Sequence, residues 1–102
     1  MAEVIVDEDG VRRVSDDGTV LEAVRWDALR EVRVMTTSQG PFVDDVFFVL
    51  DGGAYGCVVP QALAPEGFVE RLQELPGFDD EQLIASMTST SEAEFVCWRR
   101  AS

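Results

Sequence analysis

A chain of 102 residues has room for one hydrophobic core and no second one, and 46% hydrophobic content recurring in blocks along its length argues against disorder. Twenty Asp and Glu against eight basic residues give a formal net charge of −12. That field repels phosphates and anionic lipid, so nucleic acid and membrane are not expected partners, while basic proteins are favoured.

All eight basic residues are Arg, and there is no Lys, His or Asn. That usage is associated with GC-rich bacterial genomes. Met1-Ala2-Glu3 opens the sequence without the apolar segment of a signal peptide, and no run approaches the roughly 20 apolar residues of a membrane span. A cytoplasmic protein is expected, with Cys57 and Cys97 as reduced, buried thiols, since they lie forty residues apart in apolar runs. A disulfide requires their two strands to be neighbours.

Glu3 to Val6 is a short apolar run closed by the turn Asp7-Glu8-Asp9-Gly10. Val11 to Ser15 and Thr19 to Trp26 flank Asp16-Asp17-Gly18, and Asp-Gly between β-rich segments predicts a hairpin. Trp26-Asp27-Ala28-Leu29 reads as a corner of about one helical turn. The next run, Glu31 to Thr37, places Val32 and Val34 on one face and Arg33 and Met35 on the other. After Ser38-Gln39-Gly40-Pro41 comes a strand from Val43 to Leu50, whose apolar end predicts burial on both faces. Asp51-Gly52-Gly53-Ala54 turns the chain into Tyr55 to Val59, and Pro60 ends that strand.

Helical signals follow. Pro65 suits a first helical position, and Phe68, Leu72 and Leu75 form one apolar stripe. Pro76-Gly77 stops that helix. Asp79 is the expected N-cap of the next, with Gln82 three residues on and Phe78 and Leu83 as a hydrophobic staple. Leu83, Ile84 and Met87 are expected to face the core. Ala93 to Arg99 is the last strand. The order predicts an α+β fold: a bent antiparallel sheet or partial barrel of about six or seven strands, with two short helices before the last strand. The crossing helices allow that strand to pair out of sequence order.

Chemistry is sparse. Without His there is no Ser–His or Cys–His pair, and two distant Cys cannot make a structural zinc site, so no catalytic residue, metal or cofactor is assigned. Gly52-Gly53-Ala54-Tyr55-Gly56 lies in a hairpin, not between strand and helix, and reads as turn chemistry. Asp7-Glu8-Asp9-Gly10 lacks the later ligand positions of a calcium loop. Asp79-Asp80-Glu81 is explained by capping and the helix dipole, whereas Asp44-Asp45 has no such explanation. The candidate binding loop is therefore Thr36, Thr37, Ser38, Gln39 and Phe42 with Asp44 and Asp45, a hydroxyl-rich connection between strands. Trp26 and Trp98 read as core.

The runs Trp26-Asp27-Ala28-Leu29, Thr36-Thr37 through Gly40-Pro41-Phe42, Asp45-Val46-Phe47, Gly56-Cys57-Val58-Val59-Pro60-Gln61, Leu75-Pro76-Gly77-Phe78 and Phe95-Val96-Cys97-Trp98 resemble a family of short uncharacterised bacterial proteins, a domain of unknown function, from about Val11 to Arg100. That resemblance implies no activity and no site residues. The opening meander and its Trp-Asp-x-Leu corner are also similar to bacterial pleckstrin-homology-like domains, which end in one long helix where this chain has two short helices and a strand. The leading expectation is a non-enzymatic protein-interaction module, antitoxin-like or immunity-like in one version, whose protein partner is basic. The alternative is a small-molecule-binding domain or modest enzyme using the Thr36–Asp45 loop. A homodimer formed by an exposed edge at Val46 to Leu50 is a third option.

Overall fold

In the computed structural model, which describes residues 2–37, 46–89 and 92–100, β-structure dominates. Strands β1 (Glu3–Val6), β2 (Gly10–Val14) and β3 (Val20–Arg25) form an antiparallel meander. Strands β4 (Glu31–Thr36), β5 (Val46–Asp51), β6 (Gly56–Pro60) and β7 (Ala93–Arg99) form a second antiparallel sheet in the order β6-β5-β4-β7. Helices α1 (Phe68–Gln73) and α2 (Asp80–Thr88) lie between β6 and β7. The expected single bent sheet or partial barrel is therefore corrected, among the described residues, to two sheets of three and four strands, with no closed barrel.

The break falls at a corner that is held from the far end of the chain. A 3-10 turn at Trp26–Ala28 redirects the chain after β3, so β4 starts a new ladder instead of extending the first. Arg100 fixes that corner: its guanidinium donates to the carbonyls of Leu29 (2.7 Å), Trp26 (3.1 Å) and Asp27 (3.3 Å). Arg71 of α1 stacks over the Trp26 ring at 4.2 Å, and the Trp26 indole donates to the Asp7 carbonyl (2.8 Å).

The core lies between the sheets and under the helices. Val4, Val11 and Val24 come from the first sheet; Val32, Val34, Phe48, Leu50 and Val59 from the second; Phe68, Leu72 and Leu83 from the helices. The β5 strand alternates between buried Val46, Phe48 and Leu50 and half-buried Phe47 and Val49, so only one of its faces is closed. It is also an interior strand, which removes the exposed edge that a homodimer through Val46 to Leu50 would need.

Helix α1 begins at Phe68, three residues after Pro65, because Pro65 to Phe68 form a turn with Gly67 at φ 86°. Asp79 caps α2 as expected, accepting from the Gln82 N–H (3.1 Å). The buried face of α2 is Leu83 and Ser86, however, while Ile84 and Met87 are exposed. Ser86 turns its hydroxyl back onto the Leu83 carbonyl (2.6 Å), so a small, satisfied side chain lets the helix sit close to β7. In β7 a register shift opposite Val32 and Arg33 buries the consecutive residues Cys97 and Trp98 together, which strict alternation would forbid.

Both thiols are buried and free, and β6 and β7 occupy opposite edges of their sheet, so no disulfide joins them. Among the described residues no helix is long and apolar enough to cross a membrane.

Candidate functional site

Tight turns and one edge strand frame a concave feature of the surface among the described residues. At one end of β3, Asp17 accepts from the Ser15 hydroxyl and the Thr19 N–H (3.0 Å), which holds its carboxyl down at about 2. The strand then presents Val20 and Leu21, about half exposed. Near its other end, Asp7 accepts from the N–H groups of Asp9 (3.0 Å) and Gly10 (3.1 Å). The Arg12 guanidinium (2.6 Å) is the main cause of its lowered pKa.

Opposite β3 stands the β5–β6 turn. Gly53 adopts φ 88°, which suits glycine, and its N–H bonds the Asp51 carboxylate (2.8 Å) while the Gly52 N–H bonds the Tyr55 carbonyl (2.8 Å). That geometry lifts Tyr55 out to 79% exposure. Between turn and strand lies a groove of about 660 Å³, whose apolar wall is Val20, Leu21, Ala23, Ala54 and Tyr55. Asp7, Asp9, Arg12, Glu22 and Arg25 supply its charges.

Most of those charges are committed to each other, the Asp9 carboxylate excepted. Arg12 pairs with Asp7, Arg25 with Asp27 (3.1 Å), and Arg13 with Glu22 (3.0 Å). Glu22 also accepts the Val58 N–H (2.9 Å), so one carboxylate joins the edge of the first sheet to the edge of the second. Asp7 and Asp27, whose carboxyls the Arg12 and Arg25 guanidiniums hold below the ordinary value, are suited to salt bridging and not to donating a proton at neutral pH.

The candidate loop is only partly placed. Thr36 is buried at the end of β4, its hydroxyl 3.5 Å from both the Ser89 hydroxyl and the Ala93 carbonyl. Thr37 follows it, half-buried. Ser38, Gln39, Phe42, Asp44 and Asp45 lie outside the described residues. Among the described residues no three Cys, Asp or Glu side chains gather to hold a metal ion.

Sequence reasoning missed the groove. Its walls lie some thirty residues apart in the chain, and Tyr55 reads there as an ordinary strand start. The available signal was Val20-Leu21 directly after an Asp-Gly turn, where both strand faces are apolar at a solvent-facing hairpin. The chain matches no protein-family model, no curated protein and no solved structure.

Proposed function

We propose that this chain is a non-enzymatic module that binds a basic protein partner, as an antitoxin-like or immunity-like protein would, through the groove between β3 and the β5–β6 turn. The observation that carries the reading is the convergence of exposed Val20, Leu21 and Tyr55 on one groove in a chain of net charge −12. Large apolar side chains gathered at a surface and rimmed by charge are the usual composition of a protein contact. The groove volume also falls in the range of small-ligand sites. Its paired charges, however, leave few polar groups to orient a small molecule.

The test is affinity capture from a lysate of the source organism, with the wild-type chain and the Tyr55→Asp and Leu21→Asp variants as baits. The expected result is one stoichiometric basic partner, retained by the wild type at low salt and lost by both variants. A wild-type column that retains only the bait overturns the reading.

A further inference from the structure

The backbone beside the groove points to the form of the partner. Trp26 N–H donates to the Asp9 carbonyl (3.0 Å), and the register continues as Gly10 with Arg25 and Arg12 with Ala23. In an antiparallel ladder hydrogen-bonded and non-hydrogen-bonded pairs alternate, so Ala23 and Arg25 turn their N–H and C=O away from β2. The same alternation, started from the Gly52–Tyr55 bond, turns Gly56 and Val58 away from β5. Glu22 caps the Val58 N–H, and Pro60 has none to offer. By that alternation the N–H groups of Ala23, Arg25 and Gly56 face away from their ladder partners, and all three residues line the groove.

We infer that the groove receives an extended, basic peptide segment of the partner as an added strand on the free edge of β3. This rests on the protein-binding reading above and specifies its mode. A free strand edge supplies a row of backbone donors and acceptors that only another extended backbone can match. Beyond the Glu22–Val58 bridge, Ala23 to Arg25 offer an open edge of roughly 10 Å. Alternate residues of the incoming strand meet Leu21, Ala23 and Tyr55, and basic side chains between them reach the Asp9 carboxylate.

Charge selects the occupant. Glu3 to Arg25 carries seven carboxylates against three guanidiniums, and acidic turns stand at both ends of β3: Asp7-Glu8-Asp9 and Asp16-Asp17. A second copy of the chain would set −12 against −12 across the same edge, whereas a basic segment gains from the field.

A displayed library of random peptides about ten residues long, enough to cover the edge, is panned against the full chain. The expected winners alternate apolar residues with Lys or Arg. The best synthetic peptide should lose about tenfold or more in affinity when N-methylated at alternate residues, because those positions lose the ladder bonds. Ala23→Pro removes a groove-facing N–H that the fold does not use and should weaken binding to a similar degree. If that variant misfolds, the N-methylated peptide still decides. No enrichment, acidic winners, unchanged binding after N-methylation, or dimers of the chain forming through β3 each overturn the inference. If lysate capture still yields a partner sensitive to Tyr55→Asp, the protein-binding reading survives and strand addition alone falls.

Discussion

At the scale of single residues, the two thiols carry the clearest consequence of burial. Desolvation, with the Glu22 carboxylate adding to it, pushes Cys57 up to about 11. Burial, then Asp79 and Asp80, pushes Cys97 to about 11 as well. A folded-state value above the unfolded one means that the folded chain holds the proton more tightly. The contribution is therefore fully present below about 9, the ordinary thiol value, and is lost as pH rises toward about 11. Urea unfolding at stepped pH should show stability falling across that window, by an amount on the order of 2 kcal/mol for each thiol. The double variant Cys57→Ala, Cys97→Ala, less stable throughout because of its cavities, should show a flatter alkaline limb. An equally steep limb in that variant would assign the loss to other groups. The same burial makes both thiols slow to react with a disulfide reagent near neutral pH until the chain unfolds.

Among elements, the corner between the sheets is decisive, and one side chain from the far end of the chain holds it. The Arg100 guanidinium collects three carbonyls around the 3-10 turn and lies 5.6 Å from the Trp98 ring centroid, while the residue's backbone N–H donates to the Arg30 carbonyl (2.8 Å). Arg100→Ala should cost roughly 2 kcal/mol, since it strips a charged donor from carbonyls that helped define the corner. In a domain of this size that is a fall of roughly 8–16 °C in melting temperature. Arg100→Lys should recover less than half of the loss, because an ammonium cannot span three carbonyls as a planar guanidinium does. A melting temperature unchanged in Arg100→Ala would mean that the corner is held by Arg71 and Trp26 alone. This element also marks where the sequence stops being readable. Hairpins at Asp16-Asp17-Gly18 and Gly52-Gly53, the Asp79 cap and the Phe68–Leu72 part of the stripe follow from local rules and stand where those rules place them, whereas α1 ends at Gln73, short of Leu75. The split into two sheets depends on a contact between residues 26 and 100, and no local pattern encodes that distance. The exposed Ile84 and Met87 fail for a related reason: two overlapping stripes fit the helix, and the approach to β7 chose the one containing Ser86. The groove was equally hidden, because the strand edge at Ala23 is free only once β4 has failed to pair with β3.

Across the whole molecule, excess charge sets the response to salt. Twelve more negative than positive charges on a chain with a radius of gyration of 13.3 Å repel one another in the folded state more than in the expanded one. Six ion pairs oppose that repulsion among the described residues, all at least partly exposed. Exposed pairs are each worth roughly 0–1 kcal/mol and weaken with salt. The repulsion sums over many acids at longer range, where screening acts most strongly, because the Debye length shrinks from roughly 30 Å at 0.01 M to about 10 Å at 0.1 M. The repulsive sum should therefore dominate, and the melting temperature should rise between about 0.01 M and 0.1 M sodium chloride, then level off. The carboxylates of Asp7, Asp17 and Asp27, held below their ordinary values, set a limit on the acid side. A falling pH lowers the net negative charge and relieves repulsion, but below about 4 these three must also be protonated, and their contribution is lost. Stability measured at low salt should thus pass through a maximum on the acid side of neutrality and fall steeply toward pH 2. Raising the salt should flatten the rise and leave the final fall, because contacts made by direct hydrogen bonds are screened far less than charges acting at a distance. A melting temperature that drops steadily with added salt would show instead that the ion pairs, and not the −12 field, govern the fold.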